Sequence, residues 1–307
     1  MKVSIGLCTY KREYVLETLK SLMKQELPEG VVINEVIVVD NDKDRSAEKL
    51  IQTLDIPESF NLKYINEPEK NISAARNQIL NNVTGDWLAL LDDDETADPT
   101  WLKSFVEAAA TQKAVAFFGP VISVYPDNTP DWVRQGRFFD REIHDNGAQL
   151  VTGATCNAFV DMKHIRARGI QFSKFYGLTG GEDSHLFYGL YESGQVLRWV
   201  SKARVREQVE ARRLNEEYLI KQNYRIGQTF SRYRYNNRGN LKAKVKFIAE
   251  NIAKLSASSV MSAALKFKAD KSVADKVEYM KWKLRAVDAK GKLQGLSGKK
   301  FVEIYNS

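Results

Sequence analysis

The feature that most limits what this chain can fold into is the regular exchange of apolar runs and helical patterns over roughly its first 95 residues. "VSIGLCTY" (Val3–Tyr10) is a short buried strand. "KREYVLETLKSLMKQ" follows, with Val15, Leu16, Leu19, Leu22 and Met23 on one helical face. "INEVIVVDND" is a second buried strand that ends in Asp40 and Asp42, and "RSAEKLIQTL" a second helix. "NLKYINEP", "NISAARNQILNNV" and "GDWLALLDDD" continue as strand, helix and strand. This β-α-β-α-β-α-β order predicts an α/β fold on a mostly parallel, doubly wound sheet, whose strands read as continuously apolar because both faces are covered. Ligands of such sheets bind beyond the carboxyl ends of the strands. Thr9, Tyr10, Asp40 and Asp92 all stand at such ends, so they are expected to converge on one crevice.

Further along, "AVAFFGPVISVY" is a strand region and "PDNTPDWVRQGRF" a proline-punctuated loop. "LVTGATCNAFVDM" suggests a strand pair around a tight glycine turn. "GGEDSHLFYGLYESG" is a glycine loop opening a helix that closes at Gly194, and "VLRWV" is the last clear strand. From about Glu216 the pattern is mainly helical. The expected organisation is an α/β domain over 1–215, with halves meeting near residue 98, and a basic helical region over 216–307.

Charge is unevenly spread. The net charge is +7, but Asn240–Ser307 holds 15 Lys and Arg against 6 Asp and Glu, a net of +9, whereas residues 1–239 hold 31 against 33. Such asymmetry points to a polyanionic surface, either anionic lipid or nucleic acid. Val273, Val277, Met280, Leu284 and Val287 form one apolar stripe flanked by Lys276, Lys281, Lys283 and Arg285. That pattern suits a helix lying on a membrane surface, or one packed on the α/β domain with its lysines in water. No recognisable RNA or DNA motif occurs, so nucleic acid is not expected. There are two cysteines, Cys8 and Cys156, without metal spacing. With no signal peptide and no run of about 18 apolar residues, the expected location is the cytoplasm, peripheral on the inner face of the cell membrane.

"LALLDDDETADP" sets acids side by side behind an apolar run, a costly arrangement unless something positive sits among them. If the strand persists through "LLDDD", Asp92 and Asp94 point to one side and Asp93 to the other. Two carboxylates on one side suit Mg²⁺ or Mn²⁺. Asp98-Pro99 looks like a helix cap and first-turn proline.

In order and approximate spacing, "VSIGLCTYKR", "EVIVVDND", "NISAARNQ", "WLALLDDDE" and "GGEDSHLF" resemble the family 2 glycosyltransferases of the GT-A fold, in particular bacterial exopolysaccharide and lipopolysaccharide enzymes of the succinoglycan type. The resemblance covers roughly residues 1–235. It implies an inverting hexosyltransferase that moves sugar from a nucleotide donor, UDP by default, to a lipid-linked or polysaccharide acceptor, with Mn²⁺ or Mg²⁺ at an Asp-x-Asp motif. Thr9, Tyr10 and Asp40 would then hold base and ribose. Arg12, Asn71 and Arg76 would face the nucleotide, although Arg12 also reads as a helix-start cation and Asn71 as a helix cap. Asp92, with Asp93 beside it, falls on the ribose side, and Asp94 and Asp92 on the metal. Asp183 is the expected base, although it also reads as the cap of the helix it begins, and Glu182 is its reserve. Gly181, Asn157 and Trp132 would line the sugar or acceptor side, with a core position the alternative for Trp132. Some members carry Gln-x-x-Arg-Trp. Gln222 and Arg225 match it, but Ile226 replaces the tryptophan, leaving Arg212, Arg213 and Arg225 as candidate phosphate contacts or solvated helix charges. A sugar-nucleotide pyrophosphorylase would want a glycine-rich basic loop where "CTYKREY" stands. A nucleic-acid binder would leave the ordered acids unexplained.

Overall fold

The computed structural model describes residues 1–58, 60–235, 241–298 and 301–303. Its strands are β1 (Lys2–Thr9), β2 (Val32–Asp40), β3 (Leu62–Asn66), β4 (Trp87–Leu91), β5 (Glu95–Ala97), β6 (Ala116–Phe118), β7 (Val121–Val124), β8 (Gln149–Leu150), β9 (Asn157–Asp161), β10 (Leu197–Trp199) and β11 (Val205–Gln208). The helices are α1 (Val15–Leu22), α2 (Ser46–Ile51), α3 (Ile72–Asn82), α4 (Trp101–Thr111), α5 (Asp131–Gly136), α6 (Met162–Ala167), α7 (Glu182–Glu192), α8 (Glu216–Tyr235), α9 (Leu241–Lys266) and α10 (Val273–Gly295). Two compact units result. One comprises Met1–Ser123, Arg141–Leu178 and Glu182–Glu207, the other Val124–Asp140, Thr179–Gly181 and Gln208–Ser307.

The first unit is built on an eight-stranded sheet in the order β3-β2-β1-β4-β9-β6-β10-β8. β1 pairs in parallel with β2 and β4, and β2 with β3; β9 runs antiparallel to β4 and β6. Side chains alternate across each strand, which explains the continuous apolar runs. Val36 and Val38 enter one core with Val15, Leu19, Trp101 and Phe105, from α1 and α4. Ile37 and Val39 enter the other with Ile79 of α3 and Phe187 of α7. Phe159 of β9 is fully buried and stacks on Trp87 at 4.7 Å and on Phe105 at 5.4 Å. A second, three-stranded sheet runs β5-β11-β7.

Several sequence expectations change here. The strand region "AVAFFGPVISVY" divides at Gly119-Pro120 between the two sheets, as β6 and β7. The strand pair expected in "LVTGATCNAFVDM" is not a pair, because β8 adds to β10 at the sheet edge while β9 inserts between β4 and β6. The proline-punctuated loop contains α5. Asp98 does not cap α4; Thr100 precedes that helix, and the Asp98 carboxylate accepts from Arg206 Nε at 2.9 Å.

The second unit packs α8, α9 and α10 with α5. α8 and α10 approach through glycines: a Cβ on Gly291 would lie 2.2 Å from the Tyr224 carbonyl oxygen, and one on Gly227 2.4 Å from that of Asp288. Met280 and Leu284 of the α10 stripe are buried with Leu219 and Tyr279. The stripe is therefore used within the unit, which corrects its assignment as a membrane face. Lys276 and Lys283 pair with Glu216. Trp132 is also part of this packing, against Phe138 and under the Lys276 ammonium, so the structure places it in a core margin and not among exposed sugar contacts.

Candidate functional site

The carboxyl ends of β1, β2 and β4 meet as the topology requires. The Asn41 amide N–H donates to the Thr9 carbonyl at 2.8 Å, and Thr9 Oγ1 donates to Asp93 at 2.7 Å. β4 ends at Leu91, so Asp92–Asp94 occupy a turn before β5 and the strand alternation expected for them does not hold. The acids are parted differently. Asp93 and Asp94 share one guanidinium, with Arg12 Nη1 at 2.6 Å and 2.9 Å, while Asp92 faces Arg76 at 3.5 Å. Arg12 and Arg76 are thus the positive charges among the acids in this structure, a role that the position of Arg12 at a helix start does not announce. Burial raises the pKa of Asp93, and that of Asp94 to about 7, against the lowering pull of Arg12.

Asp40 is fully buried, and its carboxylate accepts from the Ala47 amide at 2.8 Å, the Asp42 amide at 3.1 Å and the Tyr64 hydroxyl at 2.9 Å. It orients the β2–α2 turn. The neighbouring Asp42 is as deeply buried, yet its Oδ2 has no hydrogen-bond partner among the described residues. Asp42 is therefore the acid of this turn with acceptor capacity to offer, although its sequence context marks it only as the end of a strand. Tyr10 is partly exposed, and its ring lies 5.4 Å from Lys11 Nζ and 5.6 Å from Lys70 Nζ. Asn71 does cap α3, accepting from the Ala74 amide at 3.1 Å.

Arg76 links two elements distant in sequence. Besides facing Asp92, it forms an ion pair with Glu182 at the start of α7. Glu182 is buried and its Oε2 is unpartnered among the described residues. Asp183, next along α7, is half-buried; its Oδ1 accepts from the Ser184 amide, and among the described residues no Lys or Arg pairs with it. Gly180 and Gly181 precede this turn with φ of +75° and +91°, a region in which side chains are strained. Gly181 also faces Thr229, and a Cβ on that glycine would lie 3.0 Å from the threonine Cβ.

Asn157 is not a surface amide. Its Oδ1 accepts from Trp101 Nε1 at 2.8 Å, and its Nδ2 donates to the carbonyls of Pro120 and Ala203. It ties strand to helix and loop, which corrects its placement on the sugar side. In the second unit, Arg212 and Arg213 both pair with Glu210, and Arg225 donates to the Thr179 carbonyl at 3.3 Å. Gln222 is half-buried on α8.

Which residues suit a metal? Asp92 and Asp94 offer hard oxygens. Behind them, ligand atoms of Asp92, Glu95 and Cys156 lie within 4.8 Å of one another, and the buried Glu95 Oε1 has no partner among the described residues. Burial, with the Asp92 charge, raises the Glu95 carboxyl well above the usual carboxylate range. Within that group the oxygens of Asp92 and Glu95 suit a small, hard divalent cation, whereas the soft Cys156 thiol does not, and Asp94 stands outside the group, paired with Arg12.

The Glycosyl transferase family 2 profile matches residues 4–169. Succinoglycan biosynthesis protein ExoM of Rhizobium meliloti (strain 1021) is 36% identical over all 307 residues, which is 96% of its own length. The chain belongs to glycosyl transferase family 2. As a family 2 member of the succinoglycan type, it is a glycosyltransferase. The mannosyltransferase PcManGT from Pyrobaculum calidifontis, solved with GDP-Man and Mn²⁺, shares its fold at TM-score 0.64 and 18% identity, covering 97% of this chain and 88% of that one. S. aureus TarS 1-349 with UDP-GlcNAc does so at TM-score 0.54 and 16% identity, covering 97% and 91%. The fold is GT-A, with a C-terminal helical region.

Proposed function

We propose that this family 2 enzyme transfers a hexose with inversion from a nucleotide-sugar, UDP-linked by preference, to a lipid-linked or polysaccharide acceptor. The observation that carries the reading is the division of labour in the Glu182-Asp183 pair. Arg76 holds Glu182 in an ion pair, whereas Asp183 stands on the same first helical turn without a cationic partner among the described residues. Inversion needs one carboxylate that takes a proton from the acceptor hydroxyl as the sugar's anomeric carbon is attacked. Asp183 is the group available for it. Arg76 positions the pair by its hold on Glu182.

On the donor side, Thr9, Tyr10, Asp40 and Asp42 form the base and ribose end, with Asp40 acting by holding the turn and Asp42 Oδ2 accepting from the base or sugar. Asn71 shapes the wall by capping α3. Asp94 and Asp92 would hold Mn²⁺ or Mg²⁺, with Asp93 beside them. Bound there, the cation supplies charge neutralisation to the diphosphate leaving group. Arg12, which pairs with Asp93 and Asp94, would be the guanidinium nearest to that cation's ligands and suited to a donor phosphate. Arg212, Arg213, Gln222 and Arg225, all of the second unit, are the further groups whose chemistry suits phosphate.

The test is Asp183→Asn. It is expected to keep UDP and Mn²⁺ binding, read by thermal shift, while transfer falls by about 10²–10⁴-fold. Transfer at the wild-type rate would remove Asp183 as the base. A thermal shift with GDP or dTDP in place of UDP would keep the class of reaction and overturn the uridine preference.

A further inference from the structure

α9 is the element that the catalytic reading leaves without a purpose. Its 26 residues extend roughly 39 Å. One side is seated in its own unit through Phe247, Asn251 and Ser258, and the Phe247 ring packs at a tilt on Tyr235, 4.4 Å between centroids. The other side carries Leu241, Val245, Ile248 and Ile252 at intervals of four, three and four residues, one helical stripe, continued by Val260 and by Phe267 just past the helix end. All six are exposed, Leu241 at 77% and Phe267 at 87%. Isolated exposed apolar residues are ordinary, but a stripe along a whole helix is not.

Charge says what covers it. Residues 241–271 carry seven lysines against Glu250 and Asp270. Lys242, Lys244 and Lys246 crowd one end of the stripe, and Lys266, Lys268 and Lys271 the other. A second copy laid on the same face would set lysine against lysine. The helix does not qualify as a crossing segment, since no described helix is long and apolar enough to cross a membrane. An apolar stripe bounded by cations matches an anionic bilayer surface, where the side chains enter the acyl boundary and the ammonium groups meet headgroup phosphates.

We propose that α9 is the membrane-docking element of this enzyme, lying flat on anionic lipid. This rests on and deepens the reading of a lipid-linked acceptor by naming the surface that would bring the enzyme to it. The assay uses neither donor nor acceptor, so its outcome is separate from that of the transfer reaction.

The full chain is floated with vesicles of phosphatidylcholine alone and of phosphatidylcholine with phosphatidylglycerol. Binding is expected only to the anionic vesicles. Ile252→Asp with Val260→Asp, both exposed, should lower it by at least about tenfold, as should Lys242→Gln, Lys244→Gln and Lys246→Gln together. A charge-matched control on α10, Lys281→Gln, Arg285→Gln and Lys290→Gln, should retain most of it. Equal binding to neutral vesicles, no binding to either, or loss only in the α10 control overturns the proposal. So does a concentration-dependent dimer, detected by light scattering, that disappears in the Ile252/Val260 variant while vesicle binding does not change. Circular dichroism melts of each variant establish that it is folded.

Discussion

Glu35 gives the clearest quantitative test of the fold. It is a fully buried acid in the middle of β2, well before the strand's functional end at Asp40. Burial alone would raise its pKa, but Lys63 Nζ, Ser4 Oγ and the amide and hydroxyl of Thr84 all donate to its carboxylate and outweigh that effect. The result is a carboxyl lowered from 4.5 to about 2. A displacement of that size contributes about 3 kcal/mol to the folded state at neutral pH. Glu35→Gln keeps the shape and loses the charge, so the melting temperature at pH 7 should fall by roughly 6–12 °C for a chain of this size. The sign with pH follows from the direction of the shift. The stability is fully present above the unfolded-state value of about 4.5 and is lost as pH falls from there through about 2. Differential scanning calorimetry of both proteins from pH 7 downward should therefore show a gap that narrows below about pH 4.5. Activity at 25 °C should be unchanged, because none of Ser4, Lys63 or Thr84 reaches the acids of the crevice. An unchanged melting temperature at pH 7, or a gap that does not vary with pH, would refute the reasoning.

Other outcomes follow from the same geometry. Asn157→Leu should orphan Trp101 Nε1 and the carbonyls of Pro120 and Ala203, at about 1–3 kcal/mol for each group; denaturant unfolding measures it, and donor affinity of the folded protein should not change. Gly291→Ala should destabilise by about 1–3 kcal/mol although alanine is the better helix former, because its methyl meets the backbone oxygen of Tyr224; a raised melting temperature would contradict the close packing of α8 on α10. Burial pushes the Cys8 thiol up to about 12, and the Cys156 thiol well above its ordinary value despite the lowering pull of Arg141. Alkylation at pH 8 should accordingly proceed at both only after unfolding, as mass spectrometry would report.

Much of the first hundred residues could be read directly, because each strand and helix there announces itself locally. An apolar run covered on both faces needs no partner to be recognised, and neither does the 3.6 periodicity of α1. The convergence of Thr9 with the acid turn also follows from topology alone. β7, β11 and the short β8 are harder to read, because two to four residues carry little pattern and their pairing depends on neighbours far along the chain.

By itself the sequence determined the wound sheet, the order of the five motifs, the family they resemble and the concentration of positive charge in the last quarter. Only the tertiary structure decided which charge meets which. That Arg12 divides its bonds between Asp93 and Asp94, that Arg76 holds Glu182 and leaves Asp183, and that Asn157 is a strut rest on contacts across 37 to 106 residues of chain. It also decided which lysine-rich helix shows an apolar face. The stripe of α10 is the more regular in sequence, but burial against α8 consumes it, and the stripe left in water belongs to α9. Local pattern tells a helix to be amphipathic; what its apolar face meets is settled by the packing of the other helices around it.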